Sequence, residues 1–161
     1  MNSDADKSDT RWLAAEERAA WLSLASVLMR LQPALDAQLK RDAGLSHFEY
    51  QILAALSESP ERTLRMSTLA ELAEGSLSRL SYAVGRLERE QWVRRMADPD
   101  DGRSTLAILT DAGWNKVVDT APGHVTEVRR LVIDPLTKAQ LRQMTAINTR
   151  VLTAIDPRNT C

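Results

Sequence analysis

Along residues 12–42 the apolar positions recur at three- and four-residue steps. Trp21, Leu24, Leu28, Leu31, Leu35 and Leu39 make one stripe, which predicts a long amphipathic helix. Pro33 lies inside it, so a kink or local break is expected there. Gly44 is placed to end it. Ser46 and Glu49 have capping-box spacing, and Phe48, Ile52, Ala55 and Leu56 line one face of a second helix that runs to about residue 57. Ser57 to Arg62 reads as a loop and Thr63-Leu64-Arg65 as a short strand beside a hairpin further on. A third helix is expected over Ser67–Ala73. Thr68 and Glu71 again have capping-box spacing, Leu69 and Leu72 face inward, and the small Ala70 and Ala73 allow close packing. Glu74-Gly75-Ser76 makes the turn, with Gly75 able to take a positive φ and Ser76 able to cap the next helix.

That helix, Ser76–Glu90, splits into two faces. Leu77, Leu80, Val84 and Leu87 form a stripe for burial, while Ser76, Ser78, Arg79, Ser81, Tyr82 and Arg86 lie mostly outside it. A face of serines, arginines and a tyrosine suits hydrogen bonds to bases and phosphates; an ordinary solvated face is the other reading. Gly85 interrupts the helix at a cost of up to about 1 kcal/mol relative to Ala, and leaves room for backbone or another helix to approach. A β-hairpin follows, Val93–Ala97 and Thr105–Leu109, around the turn Asp98-Pro99-Asp100-Asp101-Gly102-Arg103. Pro99 suits the second turn position and Gly102 tolerates positive φ. Arg94, Arg95 and Arg103 bracket the loop. Arg103, near the tip, is placed to enter a minor groove, with Asp101 positioned to hold its guanidinium; a plain surface ion pair there would contribute little. Helix, turn, helix and wing over Met66–Thr110 make a device for placing one helix in a DNA major groove.

Thr110 is placed to cap a helix from Asp111 to about Val132. Pro122-Gly123 predicts a kink in it, or a division into two helices. Asp134-Pro135 ends it. Thr137 and Gln140, at capping-box spacing, open a last helix striped by Leu141, Met144, Ile147, Val151, Leu152 and Ile155. Residues 156–161 read as a tail. The expected fold class is mostly α with a small antiparallel β-wing.

Composition narrows the function classes. A chain of 161 residues with 43% apolar content can fold as one domain with its own core. Apolar runs are too short for a membrane-spanning helix. Residues 1–10, polar and acidic, lack the character of a signal peptide and are expected to form a loose, disordered tail; the expected location is cytoplasmic. The lone cysteine, Cys161, permits neither an intrachain disulfide nor a cysteine-based metal site, and a chain end rarely activates a thiol. His47 and His124 show no metal or catalytic spacing, and no phosphate-binding glycine loop, nucleophile elbow or zinc-helix motif is present. No catalytic residue, cofactor or metal is expected, and the chain reads as a non-enzyme.

The net charge of −1 argues against binding nucleic acid through bulk charge. Residues 1–61 carry 6 basic and 10 acidic groups, residues 62–103 carry 8 and 7, and residues 104–161 carry 7 and 5. All eight cations of the middle segment are arginines, which suit bidentate contacts to phosphate and guanine. The chain's 17 Arg against 4 Lys leaves a compositional source for that bias open.

The segment Arg95-x-x-Asp98-x-x-Asp101-x-Arg103, followed by Leu109-Thr110-x-x-Gly113, resembles the wing signature of the MarR family, bacterial regulators named for multiple antibiotic resistance. Leu69-Ala70-x-Leu72-Ala73 and Arg86-Leu87-Glu88 stand where that family's helix-turn-helix has them, and the resemblance covers about residues 20–155. It implies a single MarR-like domain over 11–161. In it a winged helix-turn-helix core (about 45–110) is flanked by dimerisation helices (about 12–42 and 111–155). It also implies a homodimer that reads a pseudo-palindromic operator in double-stranded DNA, a repressor released by a small aromatic or phenolic effector. Carried over by position, Ser76, Ser78, Arg79, Ser81, Tyr82 and Arg86 belong to the major-groove helix. Arg95 and Arg103 belong to the wing, with Asp101 as the partner of Arg103. The family's effector pocket lies between the dimerisation helices and the DNA-binding module; Trp21, His47 and Tyr50 are candidates to line it, with core packing the other reading of Trp21. A winged-helix module used only for protein contacts is the alternative function.

Overall fold

The computed structural model describes residues 10–73 and 75–156. The expected tails, Cys161 among them, and Glu74 of the expected turn lie outside these, apart from Thr10 and Asp156. Among the described residues the chain forms six α-helices and three strands: α1 (Ala15–Ala43), α2 (His47–Glu58), β1 (Thr63–Arg65), α3 (Met66–Leu72), α4 (Leu77–Arg89), β2 (Val93–Ala97), β3 (Thr105–Leu109), α5 (Asp111–Val128) and α6 (Lys138–Ile155). This is the mostly helical, winged fold expected from the pattern. The chain divides into two compact units, one ending at Ala34 and one beginning at Leu35. No helix among the described residues is long and apolar enough to cross a membrane.

In the first unit the stripe of α1 is open: Trp21, Leu24 and Leu28 are 56%, 39% and 59% exposed. In the second unit the stripe continues into the core, with Leu35 and Leu39 buried. That core joins Leu45, Ile52, Leu53 and Leu56 to Leu69, Leu80, Val84, Leu87 and Val93. The sheet is antiparallel in the order β1-β3-β2. Thr63 pairs with Ile108, and Val93 with Leu109.

Local chemistry explains most boundaries. Gly44 ends α1 at φ 68°, the left-handed region glycine enters without steric cost. Ser46 and Glu49 form both bonds of a capping box at α2, and Thr137 and Gln140 do so at α6. Ser76 caps α4 and Thr110 caps α5. Thr68 and Glu71 do not cap α3. Arg65 is still paired to Leu106 in β1, so the chain passes from strand into helix two residues before Thr68, with no side-chain cap.

Other expectations are corrected. Leu72 and Leu77 are exposed: Leu69, Ala70 and Ala73 take the inward face of the short α3, and Leu77 opens α4 ahead of the turn that packs. Gly75 and Gly102 do not take positive φ. Gly75 is needed because a Cβ there would lie 2.7 Å from the Phe48 ring. At Gly85 a Cβ would meet only the Arg95 guanidinium, at 4.0 Å, so no helix or backbone uses the space. Pro122 does not divide α5; it forfeits one N–H bond, to the Val118 carbonyl, on a face where both residues are exposed to water. The segment then closes in a π-helical turn, Arg129–Ile133.

Candidate nucleic-acid interface

Helix α4 buries Leu80, Ala83, Val84 and Leu87. The opposite side carries Ser78, Ser81 and Tyr82, all exposed, with Tyr82 at 78%. The Ser76 hydroxyl accepts the Arg79 N–H at 3.2 Å and lies 3.2 Å from the Ser78 hydroxyl. The Arg79 guanidinium stacks 4.0 Å from the centre of the Phe48 ring, which fixes a flexible cation against an aromatic face.

The wing tip is two consecutive turns, each closed by an aspartate. The Asp101 N–H donates to the Asp98 carbonyl at 3.2 Å, and the Ser104 N–H to the Asp101 carbonyl at 2.8 Å. The Asp98 carboxylate accepts the Asp100 N–H at 3.0 Å. The Asp101 carboxylate accepts the Arg103 backbone N–H at 3.2 Å and the Ser104 hydroxyl at 2.8 Å. The Ser104 hydroxyl and then the Arg103 N–H hold Asp101 ionised below the usual carboxylate range. The expected pairing of Asp101 with the Arg103 guanidinium is therefore corrected. Asp101 shapes the backbone that carries Arg103, and among the described residues the Arg103 guanidinium has no acidic partner.

Two other arginines of the candidate set are occupied. Arg95 grips Glu88 through its backbone N–H (2.9 Å), Nε (2.8 Å) and Nη2, and donates to the Ser81 hydroxyl at 3.4 Å. The Arg95 side chain is the main reason that Glu88 titrates below its ordinary value. This residue braces β2 against α4. Arg86 reaches Glu49 at 3.1 Å and the Gly44 carbonyl at 3.0 Å. Glu49 is buried and also accepts the Ser46 N–H at 2.8 Å. Arg86 thus ties α4 to the start of α2, a long-range role that helix periodicity does not reveal. Arg86→Ala leaves a buried carboxylate without its counter-charge and is expected to lower unfolding stability by about 2 kcal/mol. Urea denaturation checks this; a wild-type midpoint with weakened DNA binding would assign Arg86 to DNA instead.

Between α4 and the wing runs an open groove of about 380 Å³, whose lining includes Arg65, Ser67, Ser81, Arg103, Ser104 and Thr105. Sequence reasoning missed Arg65. Its guanidinium meets Asp98 at 2.8 Å, with the aspartate side chain 5% exposed and the arginine 49%. The only sequence signal was an arginine ending the strand beside the wing.

Away from this face, α2 and α5 bring both histidines together. The rings of His47 and His124 are 5.7 Å apart, Tyr50 is 4.7 Å from His124, and His124 Nδ1 lies 3.2 Å from Gln38 Oε1. Burial depresses both imidazoles, and His47 further lowers His124. Among the described residues no cluster of three or more His, Cys, Asp or Glu is placed to hold a metal.

The MarR family model matches residues 43–104, the span from the end of α1 to the wing tip. Sco3205 of Streptomyces coelicolor, a MarR family regulator solved in complex with DNA, superposes with a TM-score of 0.89 and 46% identity over 93% of this chain and 94% of its own. AbsC, another MarR family regulator of Streptomyces coelicolor, superposes with a TM-score of 0.87 and 35% identity over 92% of this chain and 100% of its own. The HTH-type transcriptional regulator MhqR of Bacillus subtilis is 29% identical over 109 residues, which are 67% of this chain and 72% of MhqR. With its winged module, aspartate-closed wing tip and near-full-length likeness to these regulators, the chain belongs to the MarR family of DNA-binding transcriptional regulators.

Proposed function

We propose that the chain is a homodimeric repressor that reads a pseudo-palindromic operator in double-stranded DNA, with α4 in the major groove and Arg103 in the minor groove. The observation that carries this reading is the arrangement of one face. Ser78, Ser81 and Tyr82 are exposed on α4, and the wing presents an arginine with no acidic partner among the described residues, on a backbone fixed by Asp101. The DNA-bound state of the 46% identical Sco3205 supports it. Ser76, Ser78, Arg79, Tyr82 and Arg103 are the proposed DNA contacts; Arg86, Arg95 and Asp101 position them, and Ser81 serves both ends.

Dimerisation is supported by apolar surface that the described residues of the single chain leave exposed. In the second unit, Val118, Val125, Ile147, Val151, Leu152 and Ile155 are all exposed on α5 and α6, more than isolated surface residues would account for. In the first unit the open stripe of α1 has the same character. The proposed organisation is one functional domain over 11–161, its winged core flanked by helices that join two copies, acting in the cytoplasm. Tyr50, His47 and His124 offer rings and polar edges to a small aromatic or phenolic effector.

Selection of duplexes from a random pool by the purified protein tests the reading. The expected result is one palindrome with half-sites about 10 base pairs apart, centre to centre, or a multiple of that, bound by a species of twice the monomer mass in sedimentation. Failure to enrich any sequence would favour the winged-helix module that contacts only proteins. Transcription in vitro from the selected site separates repression from activation.

A further inference from the structure

A duplex separates its major and minor grooves by a strand of phosphates. A helix in one groove and a wing tip in the next therefore require that strand to pass between them. In this chain the space between α4 and the wing is the groove of about 380 Å³. Four hydroxyls line it, from Ser67, Ser81, Ser104 and Thr105, together with Arg65 and Arg103. Hydroxyls and guanidinium groups are the side-chain chemistry that binds phosphate oxygens.

The cations of this groove are not equivalent. Arg95 also lines it, but is engaged by Glu88 through three donors. Arg65 meets Asp98 at 2.8 Å through Nη2, and its side chain is 49% exposed. A guanidinium has five N–H donors, so one that spends Nη2 on a buried acid keeps others for the groove. Asp98, whose carboxylate also accepts the Asp100 N–H in the first turn of the tip, fixes the orientation of Arg65 directly.

We infer that Arg65, held by Asp98, binds the DNA phosphate that crosses between the recognition helix and the wing. Arg65 then has two duties: it neutralises the buried carboxylate that opens the wing tip, and it grips the strand there. Base identity is not read at this point. The inference rests on the DNA reading proposed above and adds a backbone contact to it.

The experiment uses the full chain and the selected duplex, with phosphates replaced one at a time by uncharged methylphosphonates. For the wild type, one phosphate per half-site, between the bases covered by α4 and those covered by the wing, is expected to weaken binding by about tenfold when neutralised. Arg65→Ala and Arg65→Gln are expected to bind about tenfold more weakly on every duplex, to lose the response at that phosphate, and to show a logarithmic salt slope smaller by about one per half-site. Arg65→Gln keeps an amide N–H for Asp98, so it guards against loss of the wing fold; a thermal melt of each variant reports that separately. A wild-type phosphate profile and salt slope in a folded Arg65→Gln would overturn the inference and leave Arg65 only as the counter-ion of Asp98. So would a wild-type scan with no sensitive phosphate between the two contact regions. A wild type that binds no duplex fails at an earlier step, the DNA reading itself.

Discussion

Replacing Arg103 by alanine is expected to weaken operator binding by roughly ten- to a hundredfold, about 1–3 kcal/mol, and to leave folding and dimerisation unchanged. The asymmetry follows from its surroundings. The guanidinium has no acidic partner among the described residues, so its removal strands no buried charge. Its backbone is held by the Asp101 carboxylate at 3.2 Å, a bond the substitution keeps. The wing therefore survives and loses only the group it presents. Arg103→Lys is expected to recover part of the affinity through charge alone, because an ammonium lacks the planar fork. Fluorescence anisotropy with the selected duplex at matched salt measures both variants. Equal affinity of wild type and a folded, dimeric Arg103→Ala would remove the wing tip from the interface.

The largest effect on stability is expected at Gly113. A Cβ there would fall well inside contact range of the Trp92 carbonyl oxygen and within 2.6 Å of Leu109 Cδ1. The Trp92 backbone cannot give way cheaply. The Trp92 carbonyl accepts the Thr110 N–H at 3.0 Å, and the Thr110 hydroxyl donates to the Gln91 carbonyl at 2.7 Å while accepting the Gly113 N–H at 3.0 Å. A methyl group pushes the start of α5 off this knot. Gly113→Ala is expected to cost about 3 kcal/mol and to lower the melting temperature by roughly 6–12 °C. Gly102→Ala, where a Cβ meets only open space, is the control and should change stability by less than about 0.5 kcal/mol. A Gly113→Ala melting temperature equal to that of Gly102→Ala would show that the approach of α5 to Trp92 is not tight in solution.

These two sites also mark where sequence reasoning reaches. The wing signature placed Arg103 at a tip and Gly113 three residues after the cap, because turn chemistry and capping are local and leave their spacing in the chain. Strand limits Val93–Ala97 and Thr105–Leu109, and the boxes at Ser46–Glu49 and Thr137–Gln140, were legible for the same reason. Periodicity told which side chains of α4 leave the core, Leu77 excepted, but not what takes them up once they have left. Arg86 is claimed by Glu49, far back in the chain, and Arg95 by Glu88 on another element. The two histidines show no spacing at all until α2 and α5 pack. Gly75 was read only as a residue able to take a positive φ; the close approach of the Phe48 ring, which is what a side chain there would meet, left no mark in the chain.

The brace between Arg95 and Glu88 has a mechanical consequence. Together with Arg65–Asp98 and Arg86–Glu49, it cross-links the strands and helices of the reading module at three points. Such a module behaves as a caliper with a fixed opening. On the DNA reading proposed above, these ties set the distance from the bases under α4 to those under the wing, and a half-site lengthened by one base pair between those contacts is expected to bind more weakly.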